Sequence, residues 1–233
     1  MSEDINLSES AHADNLPAGT DILDGQSAGN GVPIGTYSGR MPILGAEDPL
    51  PYRPGRVLVA GGSGSGKSTL AARIGRILDL PYTELDSLFH GPNWVPRESF
   101  VTEAHAISAR PRWVSEWQYG IVQPVFTARA DLMIWLDLPR LVVMAQVVRR
   151  TVVRRLRREV LWNGNVEPPL RTILTDREHI IRWAWSVHPR TRVKVLNAGA
   201  QRPELPIVQL TSRAAVERWC TGPLAASARP GGS

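Results

Sequence analysis

The chain has 233 residues, enough for one α/β core with a tail, and no run of 18 apolar residues, so no membrane span is expected. A lone cysteine, Cys220, excludes an internal disulfide framework, and the acidic start MSEDINLSES lacks the apolar core of a secretion signal, which together predict a cytoplasmic protein. Residues 1–50 carry eight acids and one base, a net of −7, while residues 51–233 carry 26 basic and 14 acidic residues, a net of +12; a basic body suits phosphate-rich ligands, nucleic acid among them.

Residues 1–52 are rich in Gly, Ser, Asp, Asn and Pro without a sustained period, and are read as an acidic tail, disordered or loosely attached. Val57–Ala60 is a short apolar run bounded by glycine, the pattern of a strand buried on both faces of a parallel sheet. Gly61, Gly62, Ser63, Gly64, Ser65 and Gly66 form a flexible loop, and Lys67, Ser68 and Thr69 open a helix over 66–79 with Leu70, Ile74, Ile77 and Leu78 on one face. Gly61, Gly66, Lys67 and Ser68 meet the pattern G-x-x-x-x-G-K-[ST], in which backbone N–H groups converge on a phosphate at the positive end of a helix dipole. Lys67 would reach the outer phosphates and the Ser68 hydroxyl would ligate Mg²⁺. The chain has 25 arginines and two lysines, and one of that scarce pair stands where this loop demands lysine.

Tyr82–Leu85 reads as a second strand ending at Asp86, a position where α/β sheets place ligand groups. Asp86 is a candidate to orient an acceptor hydroxyl or take its proton; the alternative is a helix cap. Residues 87–97 read as a loop or broken helix, and Trp94 there, with Tyr119, is a candidate to stack on a planar acceptor, or else a packing residue. Glu98–Ala109 is a predicted helix, and Trp113–Ser115 a strand leading to Glu116, a candidate for the water shell of Mg²⁺ or a cap for the next helix. A short helix over 121–129, a strand over Leu132–Leu136 and a helix over Leu141–Arg158 follow. Asp137 at the end of that strand is read first as a cap and second as a metal contact.

Arg150, Arg154, Arg157 and Arg158 recur at three- and four-residue spacing on one helix face. Such like charges repel unless an anion relieves them, so they are candidates to stabilise a transferring phosphoryl group from a mobile lid, the alternative being a solvated basic face. Thr172–Val187 reads as helix, residues 189–206 as strand or helix, Ile207–Leu210 as a strand and Arg213–Cys220 as a last helix. The histidines and Cys220 show no metal-ligand spacing, so no zinc site is expected.

The segments GGSGSGKSTLAARI, LPYTELDSLFHGPNWVP, WVSEWQY, RADLMIWLDLPR, RRTVVRRLRRE with LWNGN and Glu167, and QLTSRAAVERW run through most of residues 56–220. Together they resemble the adenylate-kinase-related P-loop group often labelled DNA topology modulation proteins. That resemblance implies a nucleoside-monophosphate-kinase-like fold with ATP as phosphate donor; the group's acceptor is poorly defined. Its usual W-[VI]-x-D-G-N-Y stands here as Trp113-Val114-Ser115-Glu116-Trp117-Gln118-Tyr119, so Glu116 keeps a carboxylate while Trp117 and Gln118 depart from the pattern.

The expectation is therefore a three-layer P-loop fold over residues 53–222, with a parallel sheet of about five strands, helices on both faces, a short arginine-rich lid and a flexible tail over 223–233. Lys67, Asp86, Arg150 and Arg154 are the expected catalytic groups, residues 61–69 hold ATP, Ser68 and Glu116 hold Mg²⁺, and Asp86, Trp94 and Tyr119 hold a small-molecule or nucleotide acceptor. The second reading is a nucleic-acid-binding regulator that binds ATP without small-molecule kinase activity, motivated by the basic body.

Overall fold

The computed structural model of the chain describes residues 43–157 and 180–229, with backbone alone for 154–157 and 180–189. Its elements in order are β1 (Ile43–Leu44), β2 (Arg56–Gly61), α1 (Lys67–Leu78), β3 (Tyr82–Thr83), α2 (Leu85–Phe89), a 3₁₀ turn (Pro92–Trp94), α3 (Phe100–Ser108), β4 (Trp113–Glu116), α4 (Gln123–Arg129), β5 (Leu132–Leu136), α5 (Arg140–Arg157), α6 (Ile180–Gln201), β6 (Ile207–Leu210), α7 (Arg213–Trp219), a π-turn (Cys220–Leu224) and α8 (Ala225–Ala228). The six strands form one sheet in the order β1-β6-β5-β2-β4-β3, and every neighbouring pair is parallel. From β2 onward, helices connect successive strands, as parallel neighbours require.

Alternation along each strand divides the core between the two faces. Val57 and Val59 of β2, Leu132, Ile134 and Leu136 of β5, and Val208 and Leu210 of β6 pack with Leu70, Ile74 and Leu78 of α1, Val143 and Val147 of α5, and Trp219. Leu58 and Ala60, Met133 and Trp135, and Ile207 face the other way, toward Phe100 and Ile107 of α3, Phe126 of α4 and Val195 of α6. Both faces are covered, which explains why these strands read as continuous apolar runs rather than alternating ones. Each fully buried large side chain contributes about 1.5–3 kcal/mol of transfer free energy.

The sheet has six strands, where the sequence led us to expect about five. The additional strand, β1, lies in the stretch read as tail: Ile43 and Leu44 pair with Ile207 and Val208, and Leu44, Ala46 and Leu50 pack on the core. The Tyr52 hydroxyl donates to the Asp131 carbonyl at 2.6 Å, and Glu47 pairs with Arg218 at 2.5 Å, so this segment is tied at both ends. At the other terminus, α8 and the buried Leu224 lie beyond residue 222 and pack against the body. The stretch 189–206, open between strand and helix, continues α6 to Gln201. Arg154 lies on α5, but its side chain falls outside the described residues, as do Arg158, the LWNGN segment and residues 172–179 of the helix expected over 172–187. Among the described residues, no helix is long and apolar enough to cross a membrane.

Candidate active site

The phosphate loop leaves the C-terminal end of the central strand. Gly61 closes β2 opposite Leu136 of β5, and the chain turns through a Ser65 N–H to Gly62 carbonyl bond of 3.1 Å into α1. Two glycines are demanded by this turn. Gly64 has φ +77° and Gly66, the N-cap of α1, has φ +98°, a region that side chains rarely adopt. Ser63 and Ser68 are partly exposed and Thr69 is exposed on the helix. Lys67 Nζ bends back to donate to the Gly62 carbonyl at 3.3 Å.

Lys67 gathers the other candidates around it. Burial pulls its pKa down; the charges of Asp86 and Glu116 oppose that, and Arg150 adds to it. The structure thus brings Lys67, Asp86, Glu116 and Arg150 into one electrostatic neighbourhood. Three of these come from separate turns of chain, after β3, at the end of β4 and on α5.

Glu116 is 1% exposed and nevertheless carries an ionisable group. Its Oε1 accepts from the Tyr82 hydroxyl at 2.9 Å and its Oε2 from the Leu85 N–H at 3.2 Å. Each oxygen keeps a second lone pair. The Tyr82 phenol also takes a hydrogen bond from Ser68, while burial and Glu116 push its pKa up, so it stays a donor. Ser68, Tyr82 and Glu116 form a chain that joins the two expected Mg²⁺ groups through one ring. Tyr82 carries no role in the sequence reading, although it lies inside the LPYTELDSLFHGPNWVP segment; it stands on a two-residue edge strand.

Asp86 lies one step further than expected. The predicted strand Tyr82–Leu85 ends at Thr83, and Asp86 sits in the first turn of α2 rather than at a strand end. The physical reason is the Glu116 carboxylate, which takes the Leu85 N–H and so anchors the start of α2. Asp86 Oδ1 accepts from Gln118 Nε2 and from the Tyr119 hydroxyl, both at 2.6 Å. Gln118, one of the departures from the family pattern, is therefore a partner of the acceptor candidate. Tyr119 has φ 60° and stacks on Phe89 with ring centres 4.3 Å apart. Trp94 is linked to Asp86 through His90 and Tyr119. Its ring meets His90 edge-on at 5.1 Å, and His90 Nε2 lies 3.3 Å from the Tyr119 hydroxyl. Asp137 is engaged elsewhere: its Oδ2 accepts from Arg192 at 3.1 Å and from Gln209 at 2.7 Å, tying β5 to α6 and β6.

ATP and Mg²⁺ fit these residues. The Ser65 hydroxyl oxygen is buried without a hydrogen-bond partner, at the centre of a loop whose amides suit a phosphate. Among the described residues no group of three or more His, Cys, Asp and Glu side chains could hold a metal.

No protein-family model matches the chain, and no curated protein matches it either. Among solved structures, the chain is similar to a gluconokinase from Sinorhizobium meliloti 1021, with 17% identity, a TM-score of 0.43 and coverage of 76% of this chain and 95% of that one. It is also similar to a sugar kinase from Janibacter sp. HTCC2649, at 21% identity and a TM-score of 0.43, covering 76% of this chain and 98% of that one. A shikimate kinase from Bacteroides thetaiotaomicron shares 19% identity at a TM-score of 0.36, covering 72% of this chain and 95% of that one.

Proposed function

We propose that the chain is an ATP-dependent P-loop kinase of the adenylate-kinase-related type, close in character to the DNA topology modulation group, which transfers the γ-phosphate to a small acceptor. The observation that carries this reading is the convergence on Lys67. The lysine of a phosphate loop with a buried, unpartnered Ser65 hydroxyl feels both the Asp86 and the Glu116 carboxylates.

In this reading the amides of residues 62–68 and Lys67 hold the phosphates. Ser68 and Glu116 would hold Mg²⁺, which would supply charge neutralisation on the phosphate oxygens. Tyr82 positions both groups. Asp86, fixed by Gln118 and Tyr119, orients the acceptor and receives its proton. Arg150 and Arg154 on α5 offset the charge that spreads over the moving group. Tyr119 and Trp94 wall the acceptor site.

The test is ADP release from Mg·ATP in the presence of a panel of small hydroxyl acceptors. Turnover that requires Mg²⁺ and falls by about a hundredfold or more in Lys67→Ala and Asp86→Asn supports the reading. Turnover unchanged in either variant overturns it.

A further inference from the structure

Helix α5 is apolar on two sides. Val143 and Val147 face the sheet, while Leu141 is 74% exposed and Val142, Val148 and Val153 are 36–42% exposed. At 3.6 residues per turn these four span an arc of about 140°, opposite the buried stripe. Arg149 lies inside that arc and is exposed. The other exposed large aliphatics among the described residues, Ile43, Val95, Ile121 and Val193, stand singly. A helix that is apolar all round is ordinarily covered on every side, and adjoining exposed aliphatics mark an interaction surface.

The chemistry of this face selects what covers it. The α5 sequence holds six arginines and no acid. A second copy laid face to face would set Arg149 against Arg149, with no carboxylate on either helix to relieve the repulsion. The occupant has to bring aliphatic side chains and negative charge together. Residues 1–42, which precede the described structure, carry six acids (Glu3, Asp4, Glu9, Asp14, Asp21 and Asp24) against one base, Arg40, a net of −5. Within them Asp21-Ile22-Leu23-Asp24 sets two aliphatics between two carboxylates. The 18 residues from 25 to 42 join this segment to Ile43 and can reach up to roughly 60 Å, while α5 is about 27 Å long. The tether also starts on the right side of the sheet: Leu44 of β1 packs in the same core layer as Val143 and Val147. We propose that the outer face of α5 is a docking surface for the chain's own Asp21-Ile22-Leu23-Asp24 segment, with Ile22 and Leu23 on the aliphatic face and the flanking carboxylates neutralising Arg149. The docked segment braces the helix that presses Val147 on Gly64 of the phosphate loop. This goes beyond the kinase reading and stands without it.

The experiment is paramagnetic relaxation NMR on the full chain. A nitroxide on Ser27→Cys stands beside the segment, and the buried Cys220 stays unlabelled. The expected result is loss of the Leu141, Val142, Val148 and Val153 methyl signals, while those of Val95 and Ile121, which are also exposed, persist. Ile22→Ser combined with Leu23→Ser leaves every core side chain in place and should restore the signals. Arg149→Glu should restore them too, by setting like charge against the two aspartates, and added salt should weaken the contact by screening. Absence of broadening on α5, equal broadening at Val95 and Ile121, or broadening that survives both variants overturns the proposal. A mixed sample, isotope-labelled chains without nitroxide and nitroxide-bearing chains without isotope, separates the other occupant. Broadening of α5 methyls in that sample assigns the face to contact between copies and overturns docking within one chain; its absence there, with broadening in the singly labelled chain, supports it.

Discussion

A Val147 methyl on α5 fills the space that a side chain at Gly64 would need: a Cβ built there would stand 2.2 Å from Val147 Cγ2. The phosphate loop and the helix that carries Arg150 are thus in van der Waals contact at a position where the loop has φ +77°. Any motion of α5 over the loop must move Val147 across Gly64. Both the steric block and the backbone conformation forbid a larger residue.

Gly64→Ala should therefore cost about 1–3 kcal/mol of stability and weaken ATP binding at the same time. Gly222 is the control: a Cβ there meets nothing within 4 Å, so Gly222→Ala should stay within about 0.5 kcal/mol of wild type. Chemical denaturation of the two variants measures this. Equal stabilities would show that α5 does not press on the loop.

Tyr82→Phe removes the hydroxyl that joins Ser68 to Glu116. Glu116 is buried and would keep only the Leu85 N–H of its two donors, a loss of about 1–3 kcal/mol. The melting temperature should fall, and the Mg²⁺ concentration that half-saturates turnover should rise several-fold. A variant that is less stable but has an unchanged Mg²⁺ requirement would confine Tyr82 to a structural role.

Cys220 is 1% exposed, and burial pushes its thiol up to about 11 from an ordinary 9.0. Its sign on stability follows from linkage. Between pH 9 and 11 the unfolded thiol releases its proton while the folded one keeps it, so the folded state binds more protons and stability falls as pH rises. Melting temperatures across that window should drop, and drop less in Cys220→Ala. The native thiol should resist alkylation at pH 8 until the protein is denatured. Rapid native alkylation would contradict its burial.

Much of the site was legible because its signals are local. The loop from Gly61 to Ser68 is written in consecutive residues, and the strands β2 and β5 are contiguous apolar runs. The edge strand β1 was not legible: two residues in a Gly- and Pro-rich stretch become a strand only by pairing with Ile207 and Val208 more than 160 positions away. The hydrogen bonds from Tyr82 to Glu116 and from Gln118 to Asp86 span 34 and 32 positions, so no spacing rule reports them. The sequence puts Asp86 at the end of a strand over Tyr82–Leu85, and it lies in the first turn of α2. Its exact element was missed because the force that starts α2 at Leu85 comes from Glu116 on another strand. Asp137 was weighed as a helix cap and a metal contact, yet its carboxylate serves Arg192 and Gln209, again partners from distant chain.

Isothermal titration of Mg·ATP into wild type and Lys67→Ala bears most directly on the central claim. The Lys67 ammonium donates to a loop carbonyl, so circular dichroism should find the variant folded. Loss of a charged hydrogen bond of about 2 kcal/mol or more predicts at least about thirtyfold weaker binding. A folded Lys67→Ala protein that binds Mg·ATP as tightly as wild type would contradict the assignment of this loop to a polyphosphate.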